Sequence, residues 1–129
     1  MGVLQGKAKG ADSLTEHDIQ NLIRAAVADD CVLFRTNAGD FWQGTPVYSH
    51  EFKQTVLINL RKVEGLPPGY SDLSGVRLSD GKAVFIEVKT PTGKVRPDQV
   101  KFIERMKSFG AIAGICRCVE DAINLIKGE

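Results

Sequence analysis

The chain has 129 residues, is 43% hydrophobic and 26% charged, and carries a net charge of +1. That length suits one domain with a single modest core, and the composition is that of an ordinary globular protein. No apolar run approaches the length of a membrane-spanning helix and the N-terminus lacks the apolar stretch of a signal peptide, so no membrane partner and a cytoplasmic location are expected. The three cysteines are an odd, sparse set and make a poor disulfide framework. Cys116 and Cys118 have no further ligands nearby in sequence, so all three read as structural thiols rather than a zinc site.

Residues 1–12 show no periodicity and read as a flexible N-terminal arm, leaving 13–129 as the single domain. A capping box, Ser13-Leu-Thr-Glu16, opens the first helix. Ile19, Leu22, Ile23 and Ala26 give that helix its apolar stripe, up to about Asp29. Glu16 borders the buried face, so it has two readings: the reciprocal cap, or an acid at a functional site. Cys31 to Thr36 reads as a strand, followed by a turn at Asn37-Ala-Gly39-Asp40. Phe41 to Tyr48 and Thr55 to Lys62 read as two more strands, the first interrupted by Gly44 and Pro46. Phe41, Trp42 and Tyr48 suit a core or an interface better than base stacking. Glu64 to Tyr70 holds two glycines and two prolines and is a tight loop.

The loop delivers the chain into a hairpin, with arms Leu73 to Leu78 and Ala83 to Lys89 around an Asp80-Gly81 turn. A two-residue loop there sets Leu73 opposite Val88 and Asp72 opposite Lys89. Opposed residues share a face, as do residues two apart on a strand, so Asp72, Glu87 and Lys89 project from one side. Val84, Ile86 and Val88 point to the other. After Lys89 come the loop Thr90 to Lys94 and a helix with Pro97 in its first turn and Gly110 past its end. Ile112 to Cys118 is a short strand and Glu120 to Ile126 a closing helix. The order of elements predicts an α/β fold, a mixed sheet flanked by helices, with a parallel pair formed across the second helix.

Charges inside an apolar strand are costly unless paired, metal-bound or facing a cleft. Aspartate and glutamate with a backbone carbonyl, here that of Val88, suit Mg²⁺ or Mn²⁺. Such a cation activates water and neutralises charge on a phosphate. Lys89 is placed to orient that water or stabilise the transition state. Gln99 reaches the same area from a helix N-terminus, which itself attracts phosphate. Between Lys89 and Lys107 the basic residues include Lys94, Arg96 and Lys101, a stripe suited to a polyanion or, more blandly, a solvated helix face. The bland reading of the whole group is an Asp72–Lys89 ion pair with Glu87 solvated at the sheet end.

Gly69-x-x-Asp72-Leu73, Ile86-Glu87-Val88-Lys89-Thr90 and Pro97-Asp98-Gln99 resemble the VRR-NUC family of the PD-(D/E)XK nuclease superfamily. The similarity runs from about Leu14 to Ile126 and takes in Glu16 and the Arg35-x-Asn37 turn. It is greatest to the small stand-alone members of phages and bacteria. The resemblance implies a restriction-endonuclease-like α-β-β-β-α-β core. It implies metal binding by Asp72, Glu87 and the Val88 carbonyl, catalysis by Lys89, and supporting roles for Gln99 and Glu16. Arg35, Asn37, Lys94, Arg96 and Lys101 are then the candidate DNA contacts. The superfamily's proline before the aspartate is Ser71 here.

The implied protein is a Mg²⁺- or Mn²⁺-dependent DNA endonuclease with no small-molecule cofactor, a homodimer that resolves four-way junctions. The expected setting is a bacterial or phage-infected cell. Residues 40–62 are the candidate dimer contact. A flap or single-strand-end nuclease, and a catalytically silent DNA-binding module, are the alternatives.

Overall fold

A computed structural model describes residues 13–128, so the expected arm at 1–12 lies outside the described residues. The elements are helix α1 (Glu16–Ala26), strands β1 (Cys31–Arg35), β2 (Asp40–Ser49), β3 (Gln54–Glu64), β4 (Leu73–Arg77) and β5 (Ala83–Val88), helix α2 (Pro97–Ser108), strand β6 (Ile112–Cys116) and helix α3 (Val119–Lys127). Four strands form a mixed sheet in the order β1-β4-β5-β6. The β1–β4 and β4–β5 pairs are antiparallel, and β5–β6 is parallel, as a strand–helix–strand crossover requires. The mixed sheet with helices on both faces is the restriction-endonuclease-like core.

Alternation along β5 decides which helix covers which face. Val84, Ile86 and Val88 are fully buried with Leu73, and pack with Ile19 and Ile23 of α1 and Ala122 and Ile126 of α3. Phe85 points the other way and meets Phe102 of α2 edge-on at 5.4 Å and Tyr70 at 5.8 Å. Glu87 and Lys89 share the parity of Phe85, so they belong to the α2 side. Cys31 and Cys116 are buried and Cys118 is exposed, all with free thiols. Burial above all pushes the Cys116 thiol up to about 12, so it stays protonated and inert.

The hairpin differs from expectation in a way that matters. Arg77 N–H donates to the Lys82 carbonyl at 2.9 Å, so the loop is the four residues Leu78 to Gly81 rather than Asp80-Gly81 alone. Gly81 has the positive φ of +72° that the sequence suggests, but Asp80 does not. Asp80 instead closes the loop with its carboxylate, accepting from Arg77 Nε at 3.1 Å and from Lys82 N–H at 3.2 Å. The register therefore places Leu73 opposite Ile86, not Val88. Asp72 falls level with Glu87, not Lys89. A shift of two leaves every side chain on its expected face, whereas a shift of one would have reversed them all.

Strands β2 and β3 leave the sheet and pair only with each other. Their ladder carries a bulge between Gln43 and Thr45, and Asn59 within it sits at φ 55°. The ribbon is rooted where Gly39 N–H donates to the Leu66 carbonyl at 3.0 Å and Gly65 N–H donates to the Gly39 carbonyl at 2.8 Å. Phe41, Trp42 and Tyr48 are exposed on it, so they do not join the core.

Candidate active site

The site lies where β4 and β5 part. Their ladder ends at Leu73–Ile86, while β5 continues beside β6 to Val88–Cys116. Past the last pair, the Asp72 carbonyl accepts from Thr36 N–H at 2.9 Å, tying that end of β4 to β1. The Asp72 carboxylate turns the other way, and Oδ2 accepts the Val88 N–H at 2.9 Å. A side chain thus takes the place of a ladder bond, which fixes its position. Of Val88, it is the N–H that meets another site residue here.

Glu87 follows the parting strand into the interior and is only 1% exposed. Its Oε2 accepts from Gln99 Nε2 at 3.1 Å and lies 3.8 Å from Lys89 Nζ. Its Oε1 is buried with no hydrogen-bond partner among the described residues. Burial first, then the neighbouring Asp72 carboxyl and, less strongly, Glu16, push Glu87 up to about 8, against the pull of Lys89. Two adjacent carboxyl groups can hydrogen-bond to each other only through a shared proton, so the link between Asp72 and Glu87 is lost when both are ionised.

Glu16 completes the group because it is not the cap. The N-cap of α1 is Thr15, whose Oγ1 accepts from Asp18 N–H at 3.1 Å while Asp18 Oδ2 accepts from Thr15 N–H at 3.0 Å. The expected Ser13–Glu16 box is replaced by this one, two residues along, and the Glu16 carboxylate is available to the site. Oxygen atoms of Glu16, Asp72 and Glu87 lie within 4.8 Å of one another. Three convergent carboxylates, one with a buried oxygen lacking a donor, fit a hard divalent cation.

Gln99 is placed by the start of α2. Its Oε1 accepts the Arg96 N–H at 3.0 Å, half of a capping box, which leaves Nε2 for Glu87. The loop before Asp72 packs against the same helix end: Gly69 has φ +88°, and a β-carbon there would come within 2.6 Å of the Asp98 carbonyl. Only glycine allows that approach.

The expected DNA contacts surround this centre. Lys94 and Lys101 are exposed, and Arg96 Nε pairs with Asp98 at 3.2 Å. Arg35 at the end of β1 and Asn37 just past it are exposed on the other edge of the sheet. Arg35 Nη1 contacts His17 Nδ1 at 2.7 Å, a pairing the sequence did not suggest because eighteen positions separate the two. Ser71 is fully buried, and its hydroxyl has no hydrogen-bond partner among the described residues. The Thr36 hydroxyl donates to its carbonyl.

A family model described as the VRR-NUC domain matches residues 14–120, most of the chain. The chain belongs to the VRR-NUC family. Among curated proteins no match was found. VRR-NUC domains are nucleases of the PD-(D/E)XK superfamily, which generally use divalent metals, and DNA is the substrate that this activity implies. In this VRR-NUC domain Asp72 stands directly before β4, and Glu87-Val88-Lys89 runs from the end of β5 into the loop that follows it. Ser71, directly before Asp72, is one of the few buried polar residues among the described residues.

Proposed function

We propose that this VRR-NUC domain, residues 13–129, is a Mg²⁺- or Mn²⁺-dependent endonuclease that cleaves four-way DNA junctions as a homodimer. The observation that carries the catalytic reading is the meeting of Asp72, Glu87 and Glu16 beside Lys89, with Gln99 holding Glu87. Asp72 and Glu87, with the Val88 carbonyl and Glu16 as further oxygen donors, would hold a divalent cation, which would supply a nucleophilic water at neutral pH and offset charge on the scissile phosphate. Lys89 offers its ammonium to the phosphate as charge builds. Gln99 keeps Glu87 aimed into the site. Lys94, Arg96 and Lys101 on one flank, and Arg35 and Asn37 on the other, track the DNA backbone. The work of such an enzyme is where bacterial or phage DNA lies, in the cytoplasm.

The dimer reading rests on the ribbon. Trp42 is 60% exposed, Phe52 63% and Tyr48 57%, with Leu57, Ile58 and Leu60 also uncovered. A two-stranded ribbon is marginal by itself in water, and an apolar surface of this kind marks an interface. A two-fold pair presents two equivalent sites, as symmetric cleavage of a junction needs.

The test is cleavage of synthetic four-way, flap and linear DNAs with Mg²⁺, Mn²⁺ or EDTA. Metal-dependent paired incisions preferring the four-way junction are expected. Equal activity on linear duplex removes the junction assignment, preference for flaps or ends replaces it, and binding without cleavage makes the domain a silent module.

A further inference from the structure

The segment from Lys89 to α2 carries two of the proposed phosphate contacts, Lys94 and Arg96, and has little structure of its own. It is fixed at one end by Lys89 N–H donating to the Cys116 carbonyl at 3.1 Å, and at the other by the Arg96–Gln99 contact. Between them, the one backbone–backbone bond among the described residues is Gly93 N–H to the Thr90 carbonyl, 3.1 Å. Such a segment drifts unless side chains hold it.

One guanidinium holds it. Arg117 Nη1 donates to the Thr90 carbonyl at 2.6 Å and the Gly93 carbonyl at 2.8 Å, and lies 3.3 Å from the Pro91 carbonyl. Its own backbone is anchored, because its N–H donates to Asp121 Oδ2 in the first turn of α3 at 2.9 Å. Among the described residues no carboxylate pairs with the Arg117 side chain. Its donors go to main-chain oxygens on the turn just before Lys94.

We infer that Arg117 is a positioning residue for DNA: by clamping the Thr90–Gly93 turn from the β6–α3 junction, it fixes Lys94 and Arg96 against substrate phosphates beside Glu87 and Lys89. The inference rests on the nuclease reading above and adds a residue to it. A bare stabilising role lowers the melting temperature and leaves the ionic footprint on DNA alone. A positioning role changes that footprint, because each lost phosphate contact reduces the slope of log affinity against log salt by about one.

The experiment measures binding of a four-way junction by fluorescence anisotropy over a salt series, with Ca²⁺ so that DNA stays intact, and cleavage separately with Mg²⁺. In R117M, which keeps the length and loses the donors, affinity is expected to fall about tenfold and the salt slope by about one to two. In a K94A/R96A background the same substitution is expected to change affinity less than about twofold, since its effect runs through those two residues. An unchanged slope in R117M overturns the inference, and so does a full additional loss in the K94A/R96A background, which makes Arg117 itself the phosphate contact. If R117M does not fold, Asp121→Ala, which frees the Arg117 amide, is expected to lower the slope in the same background-dependent way, and no change overturns the inference. A wild type that binds and cleaves DNA while the variants match it overturns this inference alone; one that neither binds nor cleaves overturns the nuclease reading too.

Discussion

Gln99 bridges a helix end and a catalytic candidate: Nε2 donates to Glu87 Oε2 at 3.1 Å while Oε1 accepts the Arg96 N–H at 3.0 Å. The side chain is 4% exposed, so neither partner has water as an easy substitute. Gln99→Leu keeps the bulk and removes both bonds. It is expected to cost about 1–3 kcal/mol in urea denaturation and to lower cleavage by more than the stability loss explains. Cleavage at wild-type rate by a folded Gln99→Leu protein would show that Glu87 needs no support.

Protonation of Glu87 sets the pH dependence of the metal-free protein. Its carboxyl titrates near 4.5 when free and at about 8 in the fold, so the folded state binds the proton more tightly. This group's contribution is fully present below about pH 4.5 and is lost as pH rises through about 8. Denaturation in EDTA should therefore show declining stability over that window. Mg²⁺ is expected to restore stability at its upper end, and Glu87→Gln to flatten the decline while abolishing cleavage. A flat wild-type profile would mean that Glu87 is ionised as easily folded as unfolded.

Lys89 and Asp72 separate chemistry from folding. Lys89→Ala is expected to lower kcat on the order of 10²–10³-fold, with junction binding in Ca²⁺ little altered. Asp72→Asn, which keeps an acceptor for the Val88 N–H, should fold and still lose metal-dependent cleavage. Isothermal titration with Mn²⁺ reads the second effect without any turnover. Undiminished Mn²⁺ binding by Asp72→Asn would remove Asp72 from the ligand set.

Cap and site are distinguishable at the start of α1. Thr15→Ala should cost about 1 kcal/mol of stability with little change in cleavage per folded molecule. Glu16→Gln should do the reverse. Equal stability losses in thermal denaturation would return Glu16 to a structural role.

The ribbon predicts an oligomer. Wild type is expected to run as a dimer by light scattering at micromolar concentration, and Leu57→Asp combined with Trp42→Lys as a monomer with the core still folded. A wild type that is monomeric throughout that range removes the dimer.

Much of this was legible because period-two alternation survives errors of two. The hairpin register lies two residues from the one the Asp-Gly turn suggests, yet Asp72, Glu87 and Lys89 lie on the expected face. The loop itself was not legible, since the Arg77–Asp80 pair competes with the tight turn that Asp-Gly suggests. The sequence likewise suggests a Ser13–Glu16 capping box, and the packed helix uses Thr15–Asp18 instead. The strands β2 and β3 were expected, but alternation says which residues share a face and not whether that face meets the core. Arg117 was invisible because its partners are carbonyls, which every residue has.

The ribbon also has a mechanical side. Strands β1 and β4 are antiparallel neighbours, and Thr36 N–H meets the Asp72 carbonyl at 2.9 Å, so a short turn would have joined them. The chain instead travels out along β2, back along β3, and through Gly69 before it reaches Asp72. Both ends of that excursion close on the residue that leads the carboxylate cluster. The root of the ribbon and the backbone of Asp72 therefore share one junction, so the excursion begins and ends at the acid it delivers.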